Sequence, residues 1–247
     1  MKNTTNYIKM FLLIVLATVE CGCATADKPL RINDLSSLSP LKVIRFETPP
    51  IKRYTWGVAT KSLLLPTTYF MHGFFGGFGT DALATMDGMA LRKKCFLPDY
   101  GQLVMNKFNE KVAKDKTSWP RMLIEDNPVQ MEVPVSPIAS PVSDIPVQKK
   151  YEYKSSNTLS FNVACIYLHD WGFRKGLYTS TIAEIHIVTG HLIWRKRSDY
   201  SQKKAGRERE LEEIEANDCT LLKEEMDYAA EMTAEEFIED IKRSGQR

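Results

Sequence analysis

Cysteine, histidine and aspartate side chains stand close together at one point of the chain, at Cys165, His169 and Asp170. A thiolate activated by an imidazole is a nucleophile for hydrolysis, and the two groups must approach to about 3 Å. Four positions along a strand place Cys165 and His169 on the same side but roughly 13 Å apart. This spacing disfavours a Cys–His nucleophile. A soluble periplasmic ligand-binding protein or hydrolase that uses these three residues is kept as an alternative to the main functional prediction given below.

The histidines suggest a second kind of chemistry. His186 and His191 flank a predicted hairpin tip and could approach each other across it, with Asp170 as a third metal ligand. Their spacing matches no standard set of metal ligands. The chain also lacks the nucleophile-elbow, zinc-helix and paired-carboxylate signatures of common hydrolases. The sequence thus predicts a protein that is not an enzyme and that needs no metal or cofactor.

Two further cysteines, Cys21 and Cys23, follow the most apolar run of the chain, Met10 to Val19. They are poor candidates for a zinc site, because zinc normally takes four ligands and no Cys or His pair stands close by. The apolar run is about half as long as a bilayer-spanning helix. With Lys2 and Lys9 as the positive charges before it, it fits the apolar region of a secretory signal.

A positively charged start, a short apolar run and then Gly22-Cys23 resembles a bacterial lipoprotein signal. The resemblance implies cleavage before Cys23, whose thiol is joined to diacylglycerol. Cys23 fits better than Cys21, because Gly22 is small whereas Glu20 would place a charge beside the cut. We therefore expect a signal peptide at residues 1–22, lipidation at Cys23, a tether at 23–40 and a single domain at 41–247. An ordinary signal peptide cut near Ala24 or Ala26, which would leave a soluble periplasmic protein, is the alternative.

The composition predicts a globular domain without a nucleic-acid partner. Hydrophobic residues make up 43% and charged residues 26% of the chain, which suffices for a buried core. The net charge is only +2, and the richest basic stretch, Arg195 to Arg207, runs directly into acidic residues 208–215. Such a stretch is typical of a solvated strand end and loop rather than a phosphate-binding patch.

Three cysteines besides the lipidated one predict no disulfide framework. Cys95, Cys165 and Cys219 are an odd number, so at least one thiol is free or pairs between chains. Cys165 lies in an apolar run and is expected to be a buried core thiol.

Periodicity predicts an α+β (or α/β) fold, with a mixed sheet containing a hairpin and packed by one central and one C-terminal helix. The first elements are a strand within 41–50 stopped by Pro49, a helix over 99–115 capped by Asp99 and a short strand after Pro120. A strand over 157–172 follows, and its core face carries Leu159, Phe161, Val163, Cys165 and Tyr167. The last elements are a hairpin turning at Thr189-Gly190 and a helix over 206–245 that restarts near Asn217-Asp218.

Two segments interrupt this pattern. Residues 66–92 are rich in glycine and phenylalanine. They predict a loop whose aromatics pack on the domain, or an apolar contact with a membrane or partner; the candidate contact residues are Phe70, Phe74, Phe75 and Phe78. Residues 128–146 contain five prolines, Pro128, Pro134, Pro137, Pro141 and Pro146. They predict an extended spacer or a loop that follows a sheet edge.

The turn Thr189-Gly190, followed by His191-Leu192-Ile193-Trp194 and a closing acidic helix, is similar to a recurring shape among envelope lipoproteins. That group includes the curli-secretion lipoprotein, the penicillin-binding-protein activator lipoproteins and the amino-terminal domain of the Tol-system propeller protein. The resemblance covers residues 41–242. It implies a non-enzymatic role in envelope assembly or export, often as an oligomer.

The sequence as a whole predicts a lipid-anchored, periplasm-facing protein that binds other envelope proteins and can form a homo-oligomer. Ala24-Thr25 lacks the aspartate that retains some lipoproteins at the inner membrane, which favours the outer membrane. A second alternative is an oligomeric export-pore subunit, with residues 66–92 inserted in the membrane.

Overall fold

A mixed β-sheet with helices on one face organises the chain. The computed structural model describes residues 27–30, 35–55, 76–115, 119–129, 156–169 and 175–245. A 3₁₀ turn at Leu35–Leu38 precedes the following elements: β1 (Leu41–Arg45), β2 (Lys52–Tyr54), α1 (Gly76–Cys95), α2 (Tyr100–Lys114), β3 (Met122–Ile124), β4 (Asn157–His169), β5 (Gly176–His186), β6 (Leu192–Ser201) and α3 (Leu211–Gly245). The predicted α+β class is confirmed.

Parallel and antiparallel pairs coexist in this sheet. The strand order is β3-β1-β4-β5-β6, and β2 pairs with β4 beyond the end of β1. β1, β2 and β3 pair in parallel, whereas β4, β5 and β6 form an antiparallel meander. The predicted hairpin turn is confirmed, with Gly190 at a φ of +81°, a conformation that glycine adopts at little cost.

The predicted helix α2 begins where its sequence signal lies. The carboxylate of Asp99 accepts a hydrogen bond from the backbone N–H of Gln102 at 2.9 Å, as an N-cap does. Phe108 on this helix contacts Phe161 of β4 with ring centroids 5.2 Å apart. Tyr100, also buried, places its hydroxyl 2.9 Å from Thr179 of β5 and 3.3 Å from Thr233 of α3. The start of α2 is thereby fixed to both the sheet and the C-terminal helix.

A β-bulge in β4 changes which residues face the core. The register with β5 shifts between Val163 and Cys165, so Ala164 is the extra residue. Because side chains alternate along a strand, one inserted residue exchanges the two faces beyond it. Ile166 and Leu168 are consequently buried in the core, whereas Cys165 and Tyr167 lie on the other face and are only partly buried. The prediction of Cys165 and Tyr167 as core residues is wrong for this reason.

Helix α1 contradicts the loop predicted for residues 66–92 over its described part, 76–92. Residues 66–75 lie outside the described residues. Gly88 serves close packing here rather than a turn, because a Cβ atom at this position would lie 1.8 Å from the carbonyl oxygen of Ile51. The helix can therefore approach the backbone next to β2, which a larger side chain would prevent.

Helix α3 closes the core and carries a break where the sequence predicted a restart. Ala216 to Cys219 have non-helical backbone angles, and Asn217, Asp218 and Cys219 have φ values of 50°, 55° and 59°. This helix buries an apolar stripe, whose members are Leu222, Met226, Ala230, Phe237 and Ile241.

A disulfide joins the break in α3 to the end of α1. Cys95 and Cys219 are bonded, with their Cα atoms 5.5 Å apart. The sequence predicted no disulfide framework, because cysteines 124 positions apart give no local signal for pairing. Cys165 is the free cysteine of the described residues.

Candidate functional site

The chain enters the fold along the outer edge of β6. Lys28 and Arg195 form an antiparallel bridge, with N···O distances of 2.8 and 2.9 Å. Leu30 and Leu38 are 5% and 2% exposed and belong to the core. The residues described from 27 onward are therefore part of the folded domain, and the prediction of a free tether through residue 40 is wrong for them.

Asp27 adds ionic contacts to this edge. Its carboxylate accepts hydrogen bonds from the ammonium group of Lys196 at 2.8 Å and from the backbone N–H of Arg197 at 3.0 Å. Burial opposes ionisation, but these two residues outweigh it and lower the pKa of the Asp27 carboxyl. Lys196 also lies 3.4 Å from Glu236, so this edge is connected to helix α3.

Most of the residues predicted to contact membrane or partner lie outside the described part of the chain. These are the predicted lipidation site, Cys23, and the predicted contact residues Phe70, Phe74 and Phe75. Phe78 is described as a backbone position in the first turn of α1.

The proline-rich segment begins beside the sheet. Val129 donates its N–H to the carbonyl of Arg45 at 2.9 Å, and Glu47 donates its N–H to the carbonyl of Val129 at 3.1 Å. The described start of the segment thus extends the pairing between β1 and β3. Residues 130–146 lie outside the described residues.

A buried ionic cluster lies on the sheet face opposite the helices. Arg195 Nε donates to one oxygen of Glu184 at 2.5 Å, and His186 Nε2 lies 3.1 Å from the other oxygen. Glu184 and Arg195 are direct neighbours across β5 and β6. Burial alone would raise the pKa of the Glu184 carboxyl, but His186 and Arg195 outweigh it and lower that pKa. The ionised carboxylate therefore holds β5 and β6 together on this face.

The same cluster determines what His186 can do. Its Nδ1 atom lies 3.3 Å from the carbonyl oxygen of Gly190, so both ring nitrogens have protein partners. His191 is exposed, and Asp170 lies outside the described residues. The residues that the structure describes contain no group of three or more side chains placed to hold a metal ion.

The regular pairing of β4 with β5 from Cys165 to His169 places these two residues roughly 13 Å apart along the strand, too far for the pair that a thiol hydrolase requires. The ring of Tyr167, which stands between them in sequence, lies 5.7 Å from the His169 ring, and Tyr54 stacks on His169 with centroids 5.1 Å apart. Burial raises the pKa of the Cys165 thiol, which leaves less of the nucleophilic thiolate. This neighbourhood is an aromatic cluster with an unactivated thiol.

Sequence reasoning missed the residues that build the β6 edge and the ionic cluster. Asp27 and Lys28 lie in a short polar stretch without strand periodicity, so no local signal predicts their pairing with Arg195. A signal for the cluster did exist, because Glu184 and His186 alternate with apolar residues along β5. Charged residues in such alternation indicate a polar second face.

Comparison with known proteins leaves the family of this chain open. No protein-family model, curated protein or solved structure gives a significant match. Among the described residues, the helices do not include one that is both long and apolar enough to cross a membrane.

Proposed function

We propose that this protein is a lipid-anchored, periplasm-facing protein that binds other envelope proteins and has a non-enzymatic role in envelope assembly or export. The observation that carries the proposal is the amino-terminal sequence, in which Gly22-Cys23 follows a short apolar run preceded by Lys2 and Lys9. Acylation of Cys23 would supply the anchor. One acyl chain holds a protein only marginally, whereas the three chains of a processed lipoprotein hold it stably.

The Cys95–Cys219 disulfide supports an exported location. Disulfides persist in oxidising compartments such as the bacterial periplasm and are rare in the cytosol. A cytosolic chain would keep these two thiols reduced. The disulfide is compatible with both the lipid-anchored protein and its soluble periplasmic alternative, so the anchor itself depends on Cys23.

The start of the folded domain supports a close anchor. Cys23 stands four positions before Asp27, the first described residue that contacts β6. Four residues span at most about 14 Å when fully extended. The domain would therefore sit close to its membrane, and it would bind partners at that surface rather than at a distance.

The intact mass of the protein purified from its host membranes tests the anchor. We expect a chain that begins at Cys23 and is heavier by a diacylglyceryl group and an amide-linked acyl chain. A Cys21→Ala variant should carry the same modification, whereas a Cys23→Ala variant should lose it. An unmodified chain that starts near Ala24 or Ala26 would contradict the proposal and favour a soluble periplasmic protein.

Crosslinking in the envelope then tests the binding role. Residues 66–92 and 128–146 are the segments in which we expect photo-crosslinkable residues to capture other envelope proteins, whereas the exposed Glu213 of α3 serves as a control position. Alanine at Cys165, His169 and Asp170 should leave the cellular function unchanged. Loss of function in this triple variant, with normal stability, would favour the hydrolase or ligand-binding alternative. A large ring after detergent extraction would favour the export-pore subunit.

A further inference from the structure

Three lysines surround a cleft at the end of the β5–β6 hairpin farthest from its turn. The cleft holds about 420 Å³ and lies beside Tyr178 and Ser201, which face each other across the two strands. Lys175, Lys203 and Lys204 line it, and none of its lining residues, all within the described chain, is acidic. Lysine ammonium groups are point charges that bind phosphate oxygens.

One wall of this cleft is fixed by Gln202, whose side chain and backbone both bond to the backbone of Leu177. The side-chain oxygen of Gln202 accepts a hydrogen bond from the backbone N–H of Leu177 at 3.0 Å, and the backbone N–H of Gln202 donates to the carbonyl of Leu177 at 2.9 Å. Gly176 has a φ of +86°, and a Cβ atom there would lie 2.1 Å from the Gln202 oxygen. The glycine therefore leaves room for Gln202, which is only 1% exposed.

The positive charge of the cleft is not fully compensated. Lys175 forms an ion pair with Glu210 at 2.8 Å. Lys203 and Lys204 are exposed, and neither forms an ion pair with another residue that the structure describes. Lys204 also borders a neighbouring groove with acidic side chains, but Asp199, the acid of that groove nearest to Lys204 in sequence, is paired with Arg197 at 2.9 Å. Two ammonium groups thus remain available to an anion.

The first described residues, followed from Lys28 back to Asp27, run along the edge of β6 toward the end of the strand where this cleft lies. Because Lys28 runs antiparallel to β6, Asp27 lies on the Ser201 side of Lys28. The distance along β6 from Arg197 to Ser201 is roughly 13 Å. The chain from Cys23 to Asp27 spans at most about 14 Å. The extended chain is therefore long enough for an acyl group on Cys23 to reach the cleft.

We propose that the cleft of Lys175, Lys203 and Lys204 binds the phosphate of an anionic phospholipid headgroup in the membrane that holds the anchor. This inference rests on the proposed lipid anchor, which brings the cleft to the membrane surface. The shared chemistry is a phosphate oxyanion, and the lipid is its source. Headgroup binding fixes the orientation of the domain, since one point of attachment alone leaves the domain free to rotate about it.

Calorimetric titration of the purified full chain in an uncharged detergent tests this assignment. The ligands are a short-chain phosphatidylglycerol, a short-chain phosphatidylcholine and inorganic phosphate. We expect phosphatidylglycerol to bind most tightly, and the double variant Lys203→Glu/Lys204→Glu to weaken its binding by about tenfold or more, because two charged hydrogen-bond donors are replaced. The matched control is Lys93→Glu/Lys94→Glu, an exposed lysine pair at the end of α1 with the same charge change.

Several results would overturn the assignment. Phosphatidylglycerol affinity that is unchanged in the Lys203→Glu/Lys204→Glu variant, or lost equally in the control, would exclude the cleft as the site. Inorganic phosphate that binds as tightly as phosphatidylglycerol would make free phosphate the ligand. If the double variant fails to fold, Lys203→Gln alone must still weaken binding.

The lipid anchor and the headgroup-binding cleft are tested by different measurements, so either proposal can be refuted alone. A protein without a lipid on Cys23 that still binds phosphatidylglycerol through Lys203 and Lys204 would remove the anchor and keep the cleft. A lipidated protein with no such binding would do the reverse.

Discussion

Two adjacent rows of residues cross the sheet on opposite faces, and they are stabilised differently. The row beneath the helices is apolar, and its members lie in register across four strands: Val43, Leu159, Ile185 and Trp194. The next row, on the other face, becomes more polar from β1 to β6: Ile44, Ser160, Glu184 and Arg195.

The difference shows that burial alone does not decide how a sheet face is stabilised. Val43 and Ile44 are both fully buried. Leu159 is also fully buried, and Ser160 is only 1% exposed. Apolar side chains gain stability from the area they remove from water, about 25 cal/mol per Å². A buried carboxylate instead requires charged partners, and its contribution depends on pH. The apolar row should therefore tolerate changes in pH, whereas the polar row should not.

The largest effect should come from the apolar row. Trp194 is fully buried, and its indole N–H donates to Asp240 at 2.9 Å. Trp194→Ala should lower the free energy of unfolding by about 3–5 kcal/mol, because it leaves a cavity beneath α3. Urea unfolding followed by circular dichroism measures this loss. Trp194→Phe, which keeps an aromatic ring, should lose clearly less; equal losses would mean that the hydrogen bond dominates.

The disulfide should have the next largest effect. The double variant Cys95→Ala/Cys219→Ala should lose about 2–5 kcal/mol, because the unfolded chain is no longer cross-linked. Treatment of the wild type with dithiothreitol should give a similar loss. Cys165→Ala, which removes the free thiol of the described residues, is the control and should keep both the stability and its sensitivity to dithiothreitol. A wild type that is unaffected by reduction would contradict the prediction.

The polar row should show a smaller effect that depends on pH. At neutral pH, Glu184→Gln should lose about 2 kcal/mol, since it removes charged hydrogen bonds to Arg195 and His186. The pKa of Glu184 is lower in the folded state than its ordinary value of 4.5. Its contribution is therefore complete above that pH and disappears as the pH falls through the lower folded value.

Unfolding curves of the wild type and Glu184→Gln from pH 7 to about pH 2 test this dependence. The two proteins should converge in stability at the acidic end. Glu213→Gln, at an exposed position of α3, should follow the wild type throughout. A difference between wild type and Glu184→Gln that persists unchanged to the lowest pH would show that the charge of Glu184 is not responsible.

The smallest loss of stability should come from Asp27, which contacts β6, the strand at the outer end of both rows. Asp27→Asn should lose about 0.5 kcal/mol, because the ion pair between Asp27 and Lys196 is largely exposed. The loss should shrink further at high salt, which screens exposed charges. Unfolding at low and high sodium chloride measures both, with the exposed Asp218→Asn as control. A loss of several kcal/mol would mean that the pairing of Lys28 with Arg195 also fails in the variant.

Local patterns in the sequence were sufficient for elements with strong signals. Asp99 before a 3.6-residue apolar period predicted α2, and Thr189-Gly190 between alternating runs predicted the hairpin. The restart of α3 near Asn217-Asp218 was also predictable, because both residue types tolerate the left-handed conformation found there.

The remaining features depend on contacts that no local pattern encodes. The bulge at Ala164 inverts the strand phase without a glycine or proline to mark it. The glycines of α1 were interpreted as loop residues, although Gly88 is needed for contact with Ile51. Cys95 and Cys219, like Lys28 and Arg195, are brought together only by the complete fold. The lysine cleft likewise needs Lys175 from before β5 beside Lys203 and Lys204 from after β6.

The bridge between Lys28 and Arg195 also blocks part of a sheet edge that could otherwise pair with another molecule. Among the described strands, β6 is the last on its side of the sheet, and the backbone of such a strand is a template for pairing with another molecule. Lys28 occupies the donor and acceptor of Arg195 on this outer side. A second copy of the protein would therefore have to pair with another part of this edge than its middle. The chain's first described segment thus limits uncontrolled association of strands between neighbouring molecules.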